Sequence, residues 1–182
     1  MTGDLELSVL QRPSDGLGYV AGFAITDALI VAVGGTSSRC PTVVASSNAR
    51  HFEVRKPPRQ LGLRDVLATG DALWACGEYG QLAMSRDNGA TWKLFDAGTD
   101  ACLFALALAP DGAVWVVGDH GYAARIEGDK LERIDLQTTA RLAAIYAQRD
   151  ELVVLGFDGW MYRWRDGKVT RISTGATQPL TS

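Results

Sequence analysis

Gly77 to Trp92 reads GEYGQLAMSRDNGATW, and this stretch lays out a tight turn, a short strand and a hairpin loop closed by an indole. Its second half, Ser85-Arg86-Asp87-Asn88-Gly89-Ala90-Thr91-Trp92, sets a short carboxylate ahead of Asn-Gly. Side-chain acceptors for turn amides then stand beside a residue free to take positive φ, so the loop locks itself. Ser85, Asp87, Gly89 and Thr91 are the expected clasp, with Trp92 covering it from the apolar side.

Outward from this stretch the chain repeats itself. The template is apolar strand, turn, apolar strand, G-x-x-G, alternating strand, turn, strand. The second unit shows it as Asp65 to Thr69, Ala72 to Cys76, Gly77-Glu78-Tyr79-Gly80, Gln81 to Ser85 and the clasp. The third runs Leu103 to Ala109, Ala113 to Val117, Gly118-Asp119-His120-Gly121, Tyr122 to Glu127 and Leu131 to Leu136. The fourth runs Leu142 to Ala147, Glu151 to Leu155, Gly156-Phe157-Asp158-Gly159, Trp160 to Trp164 and Val169 to Ser173. Asp111-Gly112 and Asp166-Gly167 supply the short hairpin turns, and Arg149-Asp150 stands at another.

The first unit is degenerate. It offers Tyr19 to Ile25, Leu29 to Val33, Gly34-Gly35, Thr42 to Ala45, and then Ser46-Ser47-Asn48-Ala49-Arg50-His51-Phe52, a worn copy of the clasp without its glycine. Gly34, Gly77, Gly118 and Gly156 recur at 43, 41 and 38 residues. A period near forty with four strands per unit is the signature of β-propeller blades. The second strands are apolar at every position, as Ala113-Val114-Trp115-Val116-Val117 shows, which fits strands buried on both faces between neighbouring blades. The expected architecture is a single all-β domain over residues 1–182, with blades at about 17–58, 61–98, 101–139 and 140–175.

The pattern S-x-D-x-G-x-T-W at Ser85 to Trp92 resembles the Asp-box of bacterial neuraminidase-type (BNR) repeats, and the resemblance implies a WD40/YVTN/BNR-like propeller. In that family the clasp lies away from the functional face, which implies a structural role for it here. True sialidases of this superfamily add an arginine triad, a tyrosine paired with glutamate and an aspartate, on six blades. This chain has single arginines at Arg125, Arg141 and Arg163 and four repeats. A second resemblance, covering Gly77 to Trp92 well and the third and fourth units in outline, is to propeller assembly factors related to the photosystem II stability factor. It implies a scaffold for other proteins. The chain departs from those factors in being shorter and in lacking an export signal and an arginine patch.

Closure of the ring is the open question of the sequence. Leu5 to Gln11 resembles an outer strand such as Leu131 to Leu136, yet the fourth unit already owns Val169 to Ser173. One strand is left over for a plain four-blade ring. Either the last blade is unusual and the ring closes by itself, or a half-ring is completed by a second copy or a partner. Pairing is favoured, because an open end exposes apolar blade surface. Residues 174–182, TGATQPLTS, read as a tail.

Composition narrows the function. With 182 residues, 47% hydrophobic, 18 basic against 21 acidic side chains and a formal charge of -3, the chain has no basic stripe for nucleic acid and no polybasic membrane anchor. Its N-terminus carries acids where a secretory signal carries Lys or Arg, and no apolar run approaches a membrane span. Cys40, Cys76 and Cys102 form an odd set without C-x-x-C, which suggests neither a disulfide frame nor a zinc site and points to the cytoplasm.

The candidate binding face is the set of G-x-x-G loops, which the repeat brings to one side: Glu78, Tyr79, Asp119, His120, Tyr122, Phe157, Asp158 and Trp160. No catalytic set, cofactor or metal is expected. The expected function is a non-catalytic protein-binding scaffold, such as an immunity, accessory or assembly protein, with another protein as partner and a homodimer as a further possibility. The alternatives are a glycan- or small-ligand-binding module stacking on Tyr79, His120, Phe157 and Trp160, and a degenerate glycoside hydrolase dependent on His120.

Overall fold

In the computed structural model, which describes residues 19–36, 39–148 and 151–175, every sequence repeat becomes one antiparallel sheet of four strands in sequential order. The first sheet holds β1 (Val20–Ile25), β2 (Ile30–Thr36), β3 (Arg39–Ser46) and β4 (Glu53–Arg55). The second holds β5 (Leu63–Ala68), β6 (Leu73–Gly77), β7 (Leu82–Ser85) and β8 (Lys93–Phe95). The third holds β9 (Leu103–Leu108), β10 (Val114–Gly118), β11 (Ala123–Glu127) and β12 (Lys130–Arg133), with a single 3-10 turn at Asp119–Gly121. The fourth holds β13 (Leu142–Gln148), β14 (Glu151–Gly156), β15 (Trp160–Arg165) and β16 (Lys168–Ser173). Leu5 to Gln11, Arg149-Asp150 and residues 176–182 lie outside the described residues.

Local chemistry explains the meander. Asp166 and Gly167 take φ of 50° and 74°, the paired positive values of a two-residue hairpin turn whose twist matches the strands it joins. Each first strand carries a bulge near its start, at Val20/Gly22, Leu63/Asp65, Leu103/Ala105 and Leu142/Ala144, so the four units share one register. The third blade's outer strand stops at Arg133, short of the expected Leu136. Leu136, 1% exposed, instead anchors the linker to the next blade in the core.

Successive sheets stack face on face, as blades that cannot bury both faces alone must. Val31, Val33 and Val43 of blade 1 meet Val66, Leu73 and Ala75 of blade 2. Trp74, Cys76 and Leu82 of blade 2 meet Leu106, Val114 and Ile126 of blade 3. Trp115, Val117 and Ala123 of blade 3 meet Leu152, Val154 and Tyr162 of blade 4. Among the described residues no buried cluster joins blade 4 back to blade 1, and the four sheets are not closed by hydrogen bonds.

Burial along the second strands records the same arrangement. β6 and β10 are buried at every position, as the sequence predicts for strands between two neighbours. β14 alternates between intermediate and buried residues, because only one of its faces has a neighbouring blade. The exposed large apolar side chains of β1 and β4 are Val20, Phe23, Ile25 and Val54, and β13 adds Tyr146. The molecule is an arc of four propeller blades in which the second strand of blade 1 is buried on both faces and that of blade 4 on one.

Candidate functional site

The G-x-x-G loops gather at one end of the arc, where they bolt the blades together. The second position of each loop donates its N–H to a carbonyl near the start of its own blade: Gly35 to Tyr19, Glu78 to Gly62, Asp119 to Cys102 and Phe157 to Arg141, all 2.8–2.9 Å. The last glycine donates across the linker to the next blade, Gly80 to Ala101 and Gly121 to Ala140, both at 2.8 Å. A Cβ at Gly80 would lie 1.9 Å from the Thr99 carbonyl oxygen, and one at Gly121 1.8 Å from that of Thr138, so close approach and positive φ both demand glycine. In blade 4, Gly159 accepts from the N–H and hydroxyl of Thr174.

The loop acids are held by arginines that sequence reading did not place with them. Glu78 accepts from Arg64 at 2.9 Å and from the Gly62 N–H at 3.1 Å. Asp119 accepts from Arg141 Nε at 2.7 Å. Each arginine stands beside the leucine that opens an inner strand, Leu63 or Leu142, and that adjacency was the available signal.

These two ion pairs border a cleft of about 530 Å³ on the concave side of the arc, which takes lining from the first strand or its flank in every blade. Tyr19, Arg64, Phe104 and Phe157 line it, and Arg141 stands behind the lining between the Phe104 and Phe157 rings. The Arg64 guanidinium lies 5.7 Å from the centre of the Tyr19 ring, and that of Arg141 lies 5.0 and 5.5 Å from Phe104 and Phe157. Arginine and aromatic faces attract at such distances. Asp65, also in the wall, accepts the Leu106 N–H at 2.8 Å and ties blade 2 to blade 3. Burial pushes its carboxyl above the ordinary value, opposed by the amides of Leu106 and Val66.

The residues expected at this face separate into three groups. Glu78, Asp119 and Phe157 reach the cleft or its bordering ion pairs. Tyr79 and His120 sit at the loop tips with φ of 53° and 56° and are exposed. Tyr122 does not belong to the surface: it is 1% exposed, donates to the Ala97 carbonyl at 2.8 Å and sits in the core between blades 2 and 3. The residue after the last loop glycine already points between blades, which is why this ring turns inward. Trp160, at the same position in blade 4, packs partly against the core with Arg171 3.9 Å from its ring centre.

Asp158 belongs to a second depression, of about 660 Å³, lined by Asp135, Thr138, Tyr162 and Arg171 among others. There the Tyr162 hydroxyl donates to Asp158 at 2.5 Å and accepts from Thr138 at 2.8 Å. Burial first, and the Asp158 bond second, push the Tyr162 phenol above its ordinary value.

The clasp lies at the other end, between β7 and β8. The Ser85 hydroxyl donates to Asp87 Oδ1 at 2.7 Å and accepts the Gly89 N–H at 2.7 Å. Asp87 also accepts the Thr91 N–H at 2.8 Å and the Thr91 hydroxyl at 2.6 Å, bonds that lower its pKa to about 2. The Trp92 ring approaches the place a Gly89 Cβ would take to 3.4 Å. In blade 1, Asn48 stands where Asp87 does, accepting the N–H groups of Arg50 and His51 at 2.9 and 3.1 Å, and Ala49 takes the positive φ of Asn88. The worn segment is the same device built with a neutral acceptor.

Among the described residues no group of three His, Cys, Asp or Glu side chains could hold a metal ion, and no helix is long and apolar enough to cross a membrane. Fold and site define a β-propeller-type domain with a central cleft. Three solved structures are similar to it. A catalytically inactive virginiamycin B lyase from Staphylococcus aureus with quinupristin matches at TM-score 0.77 and 12% identity, over 92% of this chain and 59% of its own. The WD40 β-propeller domain of Doa1 matches at TM-score 0.74 and 14% identity, over 92% and 58%. YCF48 from Cyanidioschyzon merolae matches at 0.69 and 14%, over 92% and 60%, and YCF48 bound to D1 peptide is also similar in fold. The chain thus spans about three fifths of the length of the structures it matches. No protein-family model and no curated protein matches the sequence.

Proposed function

We propose that the protein is a non-catalytic scaffold that binds another protein, taking an extended segment of its partner into the concave cleft. The observation that carries this reading is a groove about 530 Å³ in volume lined by Tyr19, Arg64, Phe104 and Phe157, with Arg141 packed against the last two rings. Rings give apolar contact at low entropic cost, and guanidinium groups tied at one edge to Glu78 and Asp119 keep donors for backbone carbonyls or a carboxylate. YCF48 bound to D1 peptide provides a precedent for peptide capture on a similar fold. The Asp-box resemblance, the free Cys76 and Cys102 thiols and the absence of a basic stripe support a bacterial cytoplasmic scaffold of the immunity, accessory or assembly kind.

The glycan reading draws less support, because Trp160 is covered by Arg171 and Phe157 is shared with Arg141. For a hydrolase, Asp119 is engaged by Arg141 rather than left to orient the neighbouring His120. The test is isolation of the protein with its partner from the native source, repeated with Phe104→Ala and Arg141→Ala. A stoichiometric protein lost in both variants supports the reading. Recovery of the protein without one, or a partner indifferent to both substitutions, overturns it. A second copy of the chain is among the candidate partners, and the exposed Tyr146 of blade 4 is one point where it could dock.

A further inference from the structure

We infer that the four β-bulges select what the cleft takes, an inference that rests on the protein-binding reading of that cleft: the segment held there sets a carboxylate against Arg64 and lays a large apolar side chain over Ala143. Each first strand leaves one residue out of its pairing with the second strand. These residues are Ala21 between Val20 and Gly22, Arg64 between Leu63 and Asp65, Phe104 between Leu103 and Ala105, and Ala143 between Leu142 and Ala144. All four line the cleft. A bulge bends its strand and re-aims the side chain it carries, so the repeat delivers one side chain per blade to the same space. The leucines just before three of them, Leu63, Leu103 and Leu142, are wholly buried and hold the frame. The bulge residue, released from the core, varies from methyl to guanidinium to phenyl.

The charged groups of the lining decide the polar end. They are Arg64 and Asp65. Each Asp65 oxygen already accepts an amide, Oδ1 from Val66 and Oδ2 from Leu106, both at 2.8 Å. Arg64 gives one terminal nitrogen to Glu78 at 2.9 Å, and its other meets no oxygen acceptor among the described residues. The charged group with hydrogen bonds to spare is thus a donor, and a guanidinium edge matches a carboxylate.

Blade 4 supplies the apolar end. Where blade 3 fills the bulge position with the Phe104 ring, blade 4 has only the Ala143 methyl, followed by Ala144. Phe104, Ile145 and Phe157 line the same cleft. The space that a ring takes in blade 3 is left to the ligand in blade 4, and a large apolar side chain placed there gains burial against these groups.

Selection of short linear peptides from a random phage-displayed library on the full-length protein, followed by affinity measurement of the enriched peptides by fluorescence anisotropy, tests the inference. The enriched peptides are expected to share one Asp or Glu and one large apolar residue. Ala143→Phe, which fills the space with the residue blade 3 uses, should weaken their binding about tenfold or more. Changing the peptide's acid to its amide should weaken binding to the wild type about tenfold but to Arg64→Gln less than about twofold, because both changes remove the same contact. The Ala143 and peptide variants carry the test even if loss of Arg64 from its Glu78 pair unfolds the protein. Peptides that lose binding in Phe104→Ala yet share no acid, or that bind Ala143→Phe undiminished, overturn the inference and leave the protein-binding reading standing. Peptides indifferent to Phe104→Ala, or no enrichment at all, overturn both.

Discussion

A carboxylate that accepts three hydrogen bonds is a residue-scale device with a pH signature. Asp87 is exposed, yet the hydroxyl and amide of Thr91 and the hydroxyl of Ser85 lower its pKa from 3.8 to about 2. A carboxyl lowered by folding adds stability that is present above its unfolded value near 3.8 and is lost as pH falls through about 2. The carboxyl resonance of Asp87 should accordingly titrate with a midpoint near 2, and in Thr91→Val it should move back toward 3.8. The glycines of the G-x-x-G loops act through space rather than charge. Gly121→Ala must fit a Cβ 1.8 Å from the Thr138 carbonyl oxygen at a φ of 67°, and is expected to cost about 2–4 kcal/mol in chemical denaturation. Gly128→Ala, also at positive φ but with nothing within 4 Å, should cost about 1 kcal/mol. The glycine spacing was legible because close approach leaves no other residue possible. The pairs Glu78–Arg64 and Asp119–Arg141 were not, because each joins a loop to the start of a strand in its own or the next blade, and no linear spacing encodes that contact.

At the scale of the element, strands were legible where their burial was uniform. β6 and β10 read as continuous apolar runs because a blade lies on each side. The outer strands were less so: the alternation from Leu131 to Leu136 suggests one long strand, whereas the strand ends at Arg133, one further bond joins the Ile134 N–H to Ala123, and Leu136 is drawn into the core. Tyr122 was misplaced for a related reason. A ring just after a turn suits a surface, and only the stacking of blades 2 and 3 shows it enclosed with its hydroxyl on Ala97. Interior and free faces should differ sharply in energy. Trp115, 4% exposed and 5.5 Å from the Trp164 ring, should cost about 3–5 kcal/mol when changed to Ala. Phe23→Ala, measured at a concentration where the chain is monomeric, should stay within about 0.5 kcal/mol of wild type.

For the whole molecule, the period of about forty residues gave the blade count but not the closure, because closure depends on the angle between blades and on what meets the last one. A strand reads the same in a closed ring and in an arc. What distinguishes them is the burial of β14 on one side and the exposure of Tyr146 beside it. The whole molecule is an arc with a cleft on its concave side, and a protein partner held in that cleft is the function proposed for it. The most direct measurement is co-purification of the protein from its native source beside the Phe104→Ala variant. A stoichiometric protein that comes with the wild type and is lost from the variant is the expected result. Recovery of the protein alone, or with a partner indifferent to the substitution, contradicts it.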